Sequence, residues 1–108
     1  MRFHQRFEWD TAKAEANVRK HGVSFAVAAE VLLDEEADRY DIEEYDDAHS
    51  MDEDRWATTA SHPSDRGIVL RIVWTLRSDG DEDATRIISA RFATRKEKRD
   101  YEEEVVRR

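Results

Sequence analysis

The chain of 108 residues has no cysteine, one proline and only three glycines. The lack of cysteine excludes disulfide bonds, thiolate zinc sites and a cysteine nucleophile. Three glycines are too few for a glycine-rich phosphate loop, and the four histidines lack metal-binding spacing. No long hydrophobic run is present, so we expect no signal peptide and no membrane-spanning segment. These absences predict a cytoplasmic protein without a metal or other cofactor.

Charge is abundant but unevenly placed. The chain has 26 acidic and 18 basic residues, for a net charge of −8. Residues 34–54 hold most of the excess acid, whereas residues 86–99 are strongly basic. The basic segment indicates a site for a polyanion. The alternative is that its cations pair with the acidic segment across the fold.

The pattern of apolar residues predicts an α+β domain with a mainly antiparallel sheet, in the order β-α-α-β-β-β-β-α. Period-two alternation predicts strands over residues 2–9, 38–44, 55–61, 68–76 and 86–92. Caps and apolar spacing predict helices over residues 11–21 and 25–33, and another from Thr94, where Glu97 completes a capping box. The polar residues 77–85 predict a hairpin loop, and we expect residues 1–108 to form one domain.

Three blocks of the sequence resemble the BrnT family of toxins, which belongs to the RelE-like group of small bacterial ribonucleases. The first block is FEWDTAKAEANVRKHGVSF, at residues 7–25. The second is DAHS at residues 47–50, followed by Arg55 and Trp56. The third is RIISARFATRKEKRDYEE, at residues 86–103. The order and spacing of the blocks agree with the family, and the resemblance covers nearly the whole chain.

The resemblance implies a RelE-like fold with two N-terminal helices and one C-terminal helix. It also implies an endoribonuclease that inhibits translation and needs no metal, and in which the ribose 2′-OH attacks the adjacent phosphorus. The implied partner is a BrnA-like ribbon-helix-helix antitoxin, which would bind operator DNA as part of a heterotetramer of two toxins and two antitoxins. A second interpretation is a non-catalytic module whose acidic segment docks a basic partner.

Candidate phosphate-binding residues lie in the predicted strands. Arg55 and Arg91 are candidate catalytic residues that suit bidentate contact with a phosphate. Alternation places Arg91 on one face with Ile87 and Ser89, opposite Ile88 and Ala90. A separate set of candidate RNA-binding residues consists of Lys13, Arg71, Arg86, Arg95, Lys96 and Arg99. RNA is repelled by a net charge of −8, so we expect the acidic segment to lie away from this basic surface.

Candidate groups for proton transfer are two histidines. Lys20 and His21 are candidate catalytic residues at the end of the first predicted helix. The C-terminus of a helix favours cations, which makes His21 a candidate proton donor. The alternative for His21 is packing on the core beside Val18. His49 is the second candidate acid or base, and an ordinary surface histidine is its alternative.

Overall fold

The computed structural model describes residues 6–34, 41–49, 53–79 and 82–107. The elements within these ranges are β1 (Arg6–Glu8), α1 (Thr11–His21), α2 (Phe25–Leu33), β2 (Ile42–Tyr45), a 3-10 turn (Asp47–His49), β3 (Trp56–His62), β4 (Asp65–Asp79), β5 (Glu82–Phe92) and α3 (Arg95–Arg107). Their order confirms the predicted α+β class with two helices before the main sheet and one after it. Parts of the first two predicted strands, residues 2–5 and 38–40, lie outside the described residues.

The strands form one sheet in the order β1-β5-β4-β3-β2. Strands β2 to β5 pair antiparallel with their neighbours, whereas β1 runs parallel to β5. The long strands β4 and β5 are therefore both interior to the sheet. This arrangement confirms the mainly antiparallel sheet that the sequence predicts.

Helix α1 begins and ends, and helix α2 begins, where the capping residues predict. The carboxylate of Asp10 accepts the main-chain N–H of Lys13, and the hydroxyl of Ser24 accepts that of Val27. Gly22 ends α1 with a φ of 72°, a left-handed conformation that costs glycine little. These signals are local in sequence, which explains their accuracy.

The core lies between α2 and the sheet. Helix α2 contacts both β3 and β5, and its apolar residues Phe25 and Leu32 are almost fully buried. Leu70 and Ile72 of β4 are buried in the same core. Among the described helices, none combines the length and apolar character required to span a bilayer.

Helix α1 lies against the edge of β5, where the side chain of Asn17 makes the main-chain hydrogen bonds that a neighbouring strand would make. Within the described residues, β1 pairs with residues 84–86 of β5, and beyond Arg86 this edge of β5 has no strand partner. The side-chain amide of Asn17 donates to the carbonyl oxygens of Ala90 (2.7 Å) and Val23 (2.8 Å). Its amide oxygen accepts the N–H of Ala90 at 3.2 Å. Asn17 is buried, and it satisfies main-chain groups that would otherwise lack partners.

Two sequence predictions for β4 and β5 are wrong. Residues 77–85 are not all loop, because β4 continues to Asp79 and β5 begins at Glu82. Main-chain pairing continues there although the side chains are polar, since ladder hydrogen bonds do not depend on side-chain hydrophobicity. This pairing forms a long hairpin, with Ser78 also hydrogen bonded to Asp83.

The second error concerns the faces of β5. Val73 and Trp74 are consecutive in β4, but their partners in β5 are two residues apart, so Ile88 is the extra residue of a bulge. The bulge brings Ile87 into the core, where it is 2% exposed. The prediction that Ile87 lies on the face opposite Ala90 therefore fails, because strict alternation stops at a bulge.

Candidate functional site

Two arginines lie side by side on the sheet. Arg71 of β4 and Arg91 of β5 are directly opposite each other in the antiparallel register. Directly opposed residues point to the same face, so both guanidinium groups project from one side of the sheet. Their side chains are 22% and 35% exposed. The structure therefore brings together a predicted catalytic residue and a predicted RNA-binding residue.

A carboxylate from α3 holds this pair. The Oε1 and Oε2 atoms of Glu97 accept hydrogen bonds from Nη1 and Nη2 of Arg91, at 2.8 and 3.0 Å. The Oε2 atom also lies 3.6 Å from Nε of Arg71. The contact with Arg91 is a bidentate fork, the strongest geometry for a guanidinium and a carboxylate. We call Arg71, Arg91 and Glu97 the arginine–glutamate triad.

Helix capping places Glu97 in the triad. The main-chain N–H of Glu97 donates to the hydroxyl of Thr94 at 3.1 Å, and the N–H of Thr94 donates to Oε1 of Glu97 at 2.9 Å. This is the predicted capping box. Helix α3 begins three residues after β5 ends, so the box places Glu97 beside the strand that carries Arg91.

The triad fixes the charge of Glu97. The hydrogen bonds from Arg91 outweigh partial burial and lower the pKa of Glu97 to about 2, with help from the Thr94 N–H and the charge of Arg71. The same hydrogen bonds raise the pKa of Arg91. At neutral pH both groups are charged. A carboxylate with so low a pKa is a poor proton acceptor, so Glu97 is unsuited to act as a general base.

The surface beside the triad continues along the same two strands. Val73 and Ser89 form the register pair two residues from Arg71 and Arg91, and both are half-buried. Ser89 therefore shares the face of Arg91, as the alternation predicts. Further along, Arg86 pairs with Glu8 of β1 at 3.3 Å. Arg86 is opposite Thr75, four residues and about 13 Å along β4 from Arg71.

The acidic segment reaches this face, contrary to the sequence prediction. Oε1 of Glu44 lies 3.6 Å from Nη1 of Arg71. Glu53 lies 3.5 Å from Arg55 and 3.4 Å from Arg77. Strand β2 is acidic and pairs with β3, which itself pairs with β4, and this topology brings the acids to the arginines. The expectation that the acidic segment lies away from the basic surface is therefore wrong.

The cations of α3 form the exposed part of the basic surface. Arg95, Lys96 and Arg99 are all exposed. Lys96 pairs with Asp100 at 2.9 Å, and this hydrogen bond raises the pKa of Lys96. No ion pair of Arg95 or Arg99 is found among the residues that the structure describes. These two cations are available to an anionic partner.

The candidates on α1 are not joined to the triad. Lys13 and Lys20 are exposed, and His21 is half-buried at the last residue of the helix. Among the described residues, no side-chain hydrogen bond or ion pair links Lys13, Lys20 or His21 to Arg71 or Arg91. The backbone of His49 ends the 3-10 turn, but its side chain lies outside the described part of the structure.

Sequence reasoning gives Glu97 only a capping role. The missing information is the β4–β5 register, which decides that Arg71 is opposite Arg91 and that one carboxylate can reach both. One sequence signal could have indicated the contact between Glu97 and Arg91. It is a capping box that comes immediately after a strand with an outward-facing arginine. Across the described ranges, no group of three or more His, Asp or Glu side chains could hold a metal ion.

A family model described as "Ribonuclease toxin, BrnT, of type II toxin-antitoxin system" matches residues 9–97. The matched range contains α1, α2, strands β2 to β5 and all three residues of the triad. No curated protein matches the chain.

Proposed function

The chain belongs to the BrnT family of ribonuclease toxins of type II toxin–antitoxin systems, and on this premise we propose that the arginine–glutamate triad is its RNA-cleaving site. The observation that carries the proposal is the register pair of Arg71 and Arg91. Two guanidinium groups on one face can donate to the non-bridging oxygens of a single phosphate. They are partly exposed, so an RNA strand can reach them.

The proposed reaction is an attack of the ribose 2′-oxygen on the adjacent phosphorus. The bond between O2′ and phosphorus forms as the bond from phosphorus to O5′ breaks. A base takes the proton of the 2′-OH, and an acid gives a proton to O5′. The products are a 2′,3′-cyclic phosphate and a free 5′-OH. Negative charge grows on the non-bridging oxygens in the transition state, where Arg71 and Arg91 stabilise it.

In this mechanism the protein itself supplies the positive charge. Metal ions stabilise the phosphate oxygens in many nucleases. The two guanidinium groups of the triad offer fixed N–H donors for the same purpose, and we propose that cleavage proceeds without a metal ion. We propose that the flanking RNA is bound by Arg55, Lys20 and three exposed cations at the start of α3, Arg95, Lys96 and Arg99.

The proposed proton-transfer groups are His21 and His49, since the triad contains no suitable base. An imidazole titrates near neutral pH and can both accept and donate a proton. Single alanine variants of the two histidines separate their roles. The variant that lacks the base should change the acidic limb of the pH–rate profile, and the variant that lacks the acid should change the basic limb.

A type II toxin acts together with a protein antitoxin. We propose a BrnA-like ribbon-helix-helix antitoxin, a complex of two toxins and two antitoxins, and operator binding through the antitoxin alone. We also propose that RNA cleavage inhibits translation in the cytoplasm. The family assignment supports these steps. It disfavours the alternative of a non-catalytic docking module, because the family is one of ribonucleases.

The direct test is cleavage of a short RNA by the purified toxin in excess EDTA. We expect undiminished cleavage and products that end in 2′,3′-cyclic phosphate and 5′-OH. An RNA with 2′-O-methyl groups at every position is the matched control and should stay intact. Activity that disappears with EDTA and returns with magnesium contradicts the proposed mechanism.

A further inference from the structure

We infer that Glu97 is a positioning residue, whose carboxylate holds the guanidinium groups of Arg91 and Arg71 in the orientation that receives the phosphate. The inference rests on the proposed function of the two arginines. Glu97 itself does not contact RNA in this assignment, because its two oxygens already face the guanidinium groups.

The two arginines need such a partner. Like charges directly opposite on neighbouring strands repel each other, and each arginine side chain is long and has many rotamers. Glu97 offsets the repulsion and limits this freedom. It fixes the plane of the Arg91 guanidinium at both terminal nitrogens and holds Arg71 at Nε. The Nη1 atom of Arg71 is 3.6 Å from Glu44, at the exposed side of the pair.

Glu97 is itself held from the main chain. The capping box ties Oε1 to the N–H of Thr94, so the start of α3 determines where the carboxylate lies. Capping does not require a charge, because glutamine also serves at this position of the box. The negative charge of Glu97 is needed instead for its ion pairs with Arg71 and Arg91. A change of Glu97 to glutamine therefore removes the hold on the arginines while leaving the helix cap in place.

The change of Glu97 to glutamine should affect RNA binding and RNA cleavage in opposite directions. A carboxylate beside the proposed phosphate site repels RNA, so its loss should leave the affinity unchanged or raise it. Misplaced guanidinium groups should slow the chemical step, since a displacement of about 1 Å costs on the order of 100-fold. A residue with only a structural role would instead lower activity and the folded fraction together.

The test compares Glu97→Gln with Glu103→Gln, with kcat and KM measured on the same short RNA and the folded fraction measured by circular dichroism. Glu103 is an exposed residue of α3, so its change alters the net charge equally and leaves the triad intact. For Glu97→Gln we expect kcat to fall by at least about ten-fold with KM equal or lower, and for Glu103→Gln changes within about two-fold. Glu97→Asp keeps the charge but is one methylene shorter, and we expect its kcat to fall as well.

Two results overturn the inference. One is a folded Glu97→Gln variant whose kcat stays within about two-fold of the parent. The other is a fall in activity of both Glu97 variants that matches their loss of folded protein. Arg91→Ala, measured in the same assay, separates this failure from that of the proposed function. If Arg91→Ala cleaves RNA within about ten-fold of the parent rate, the site itself is wrong. If Arg91→Ala is inactive and Glu97→Gln is fully active, the positioning role alone fails.

Discussion

Arg71 and Arg91 are direct neighbours across two antiparallel strands, a position where sheet stability alone favours opposite charges. The proposed binding of one phosphate by both arginines gives this pairing a use beyond folding. The fold tolerates them because the helix that follows β5 supplies a carboxylate at its third residue. The capping chemistry of a helix and the proposed chemistry of a ribonuclease therefore share one side chain.

Removal of Arg91 should abolish most of the cleavage. We expect Arg91→Ala to lower the rate on the order of 100-fold to 1,000-fold, by analogy with the loss of one donor to a developing oxyanion. The matched control is Arg107→Ala, an equal change of charge at an exposed residue of α3. Rates of RNA cleavage and thermal unfolding are compared for both variants. A cleavage rate for Arg91→Ala within about ten-fold of the parent rules out the phosphate-binding role.

Arg71 and Arg91 should act as a unit. If both bind one phosphate, the double alanine variant loses less transition-state stabilisation than the sum of the two single variants. The four rates of this double-mutant cycle give the coupling directly. Additive losses would show that the two arginines contact separate groups, which contradicts a shared phosphate.

The triad should make folding stability sensitive to acid. The pKa of Glu97 is about 2 in the folded protein against an ordinary 4.5. Its ionised form therefore contributes fully to the free energy of unfolding above pH 4.5, and this contribution is lost as the pH falls towards 2. Since the groups are partly exposed, we expect Glu97→Gln to cost about 1–2 kcal/mol at pH 7. Urea unfolding of both proteins at pH 7 and pH 3 measures the difference. A cost as large at pH 3 as at pH 7 contradicts the ionic basis.

Asn17 should matter for stability and not for chemistry. Asn17→Ala removes three hydrogen bonds and leaves main-chain groups of Val23 and Ala90 buried without partners, at a cost of about 3 kcal/mol or more. The control is Ala16→Ser, a small change at the preceding residue of α1, which is exposed. We expect a lower urea midpoint for Asn17→Ala, with normal cleavage per folded molecule. An unchanged urea midpoint would contradict the role of Asn17 in satisfying the main chain at the edge of β5.

The complex with the antitoxin should have a fixed stoichiometry. A ribbon-helix-helix dimer has two equivalent toxin-binding surfaces by symmetry, so we expect a complex of two toxins and two antitoxins. Native mass spectrometry of the mixture measures it. The complex should bind operator DNA and should not cleave RNA. Toxin and antitoxin that elute separately would contradict the proposed partnership.

The sequence predicts the helices of this protein better than its sheet. Asp10, Gly22 and Ser24 are local signals, and they place both ends of α1 and the start of α2 correctly. The bulge at Ile88 and the length of the β4–β5 hairpin depend on pairing between distant residues, which a single sequence does not reveal. The same pairing determines the site. Arg71 and Arg91 are separate candidates in the sequence, and only the register places them opposite each other.

Asn17 also affects how this sheet can associate with other chains. An exposed strand edge is a template for an incoming strand, either from a partner or from another copy of the same protein. At Ala90 the amide of Asn17 already occupies both main-chain groups that such a strand would use. At the opposite edge, β2 is only four residues long and carries Glu43 and Glu44. Both features disfavour the addition of a further strand at these two places, and with it fibril-like growth of the sheet.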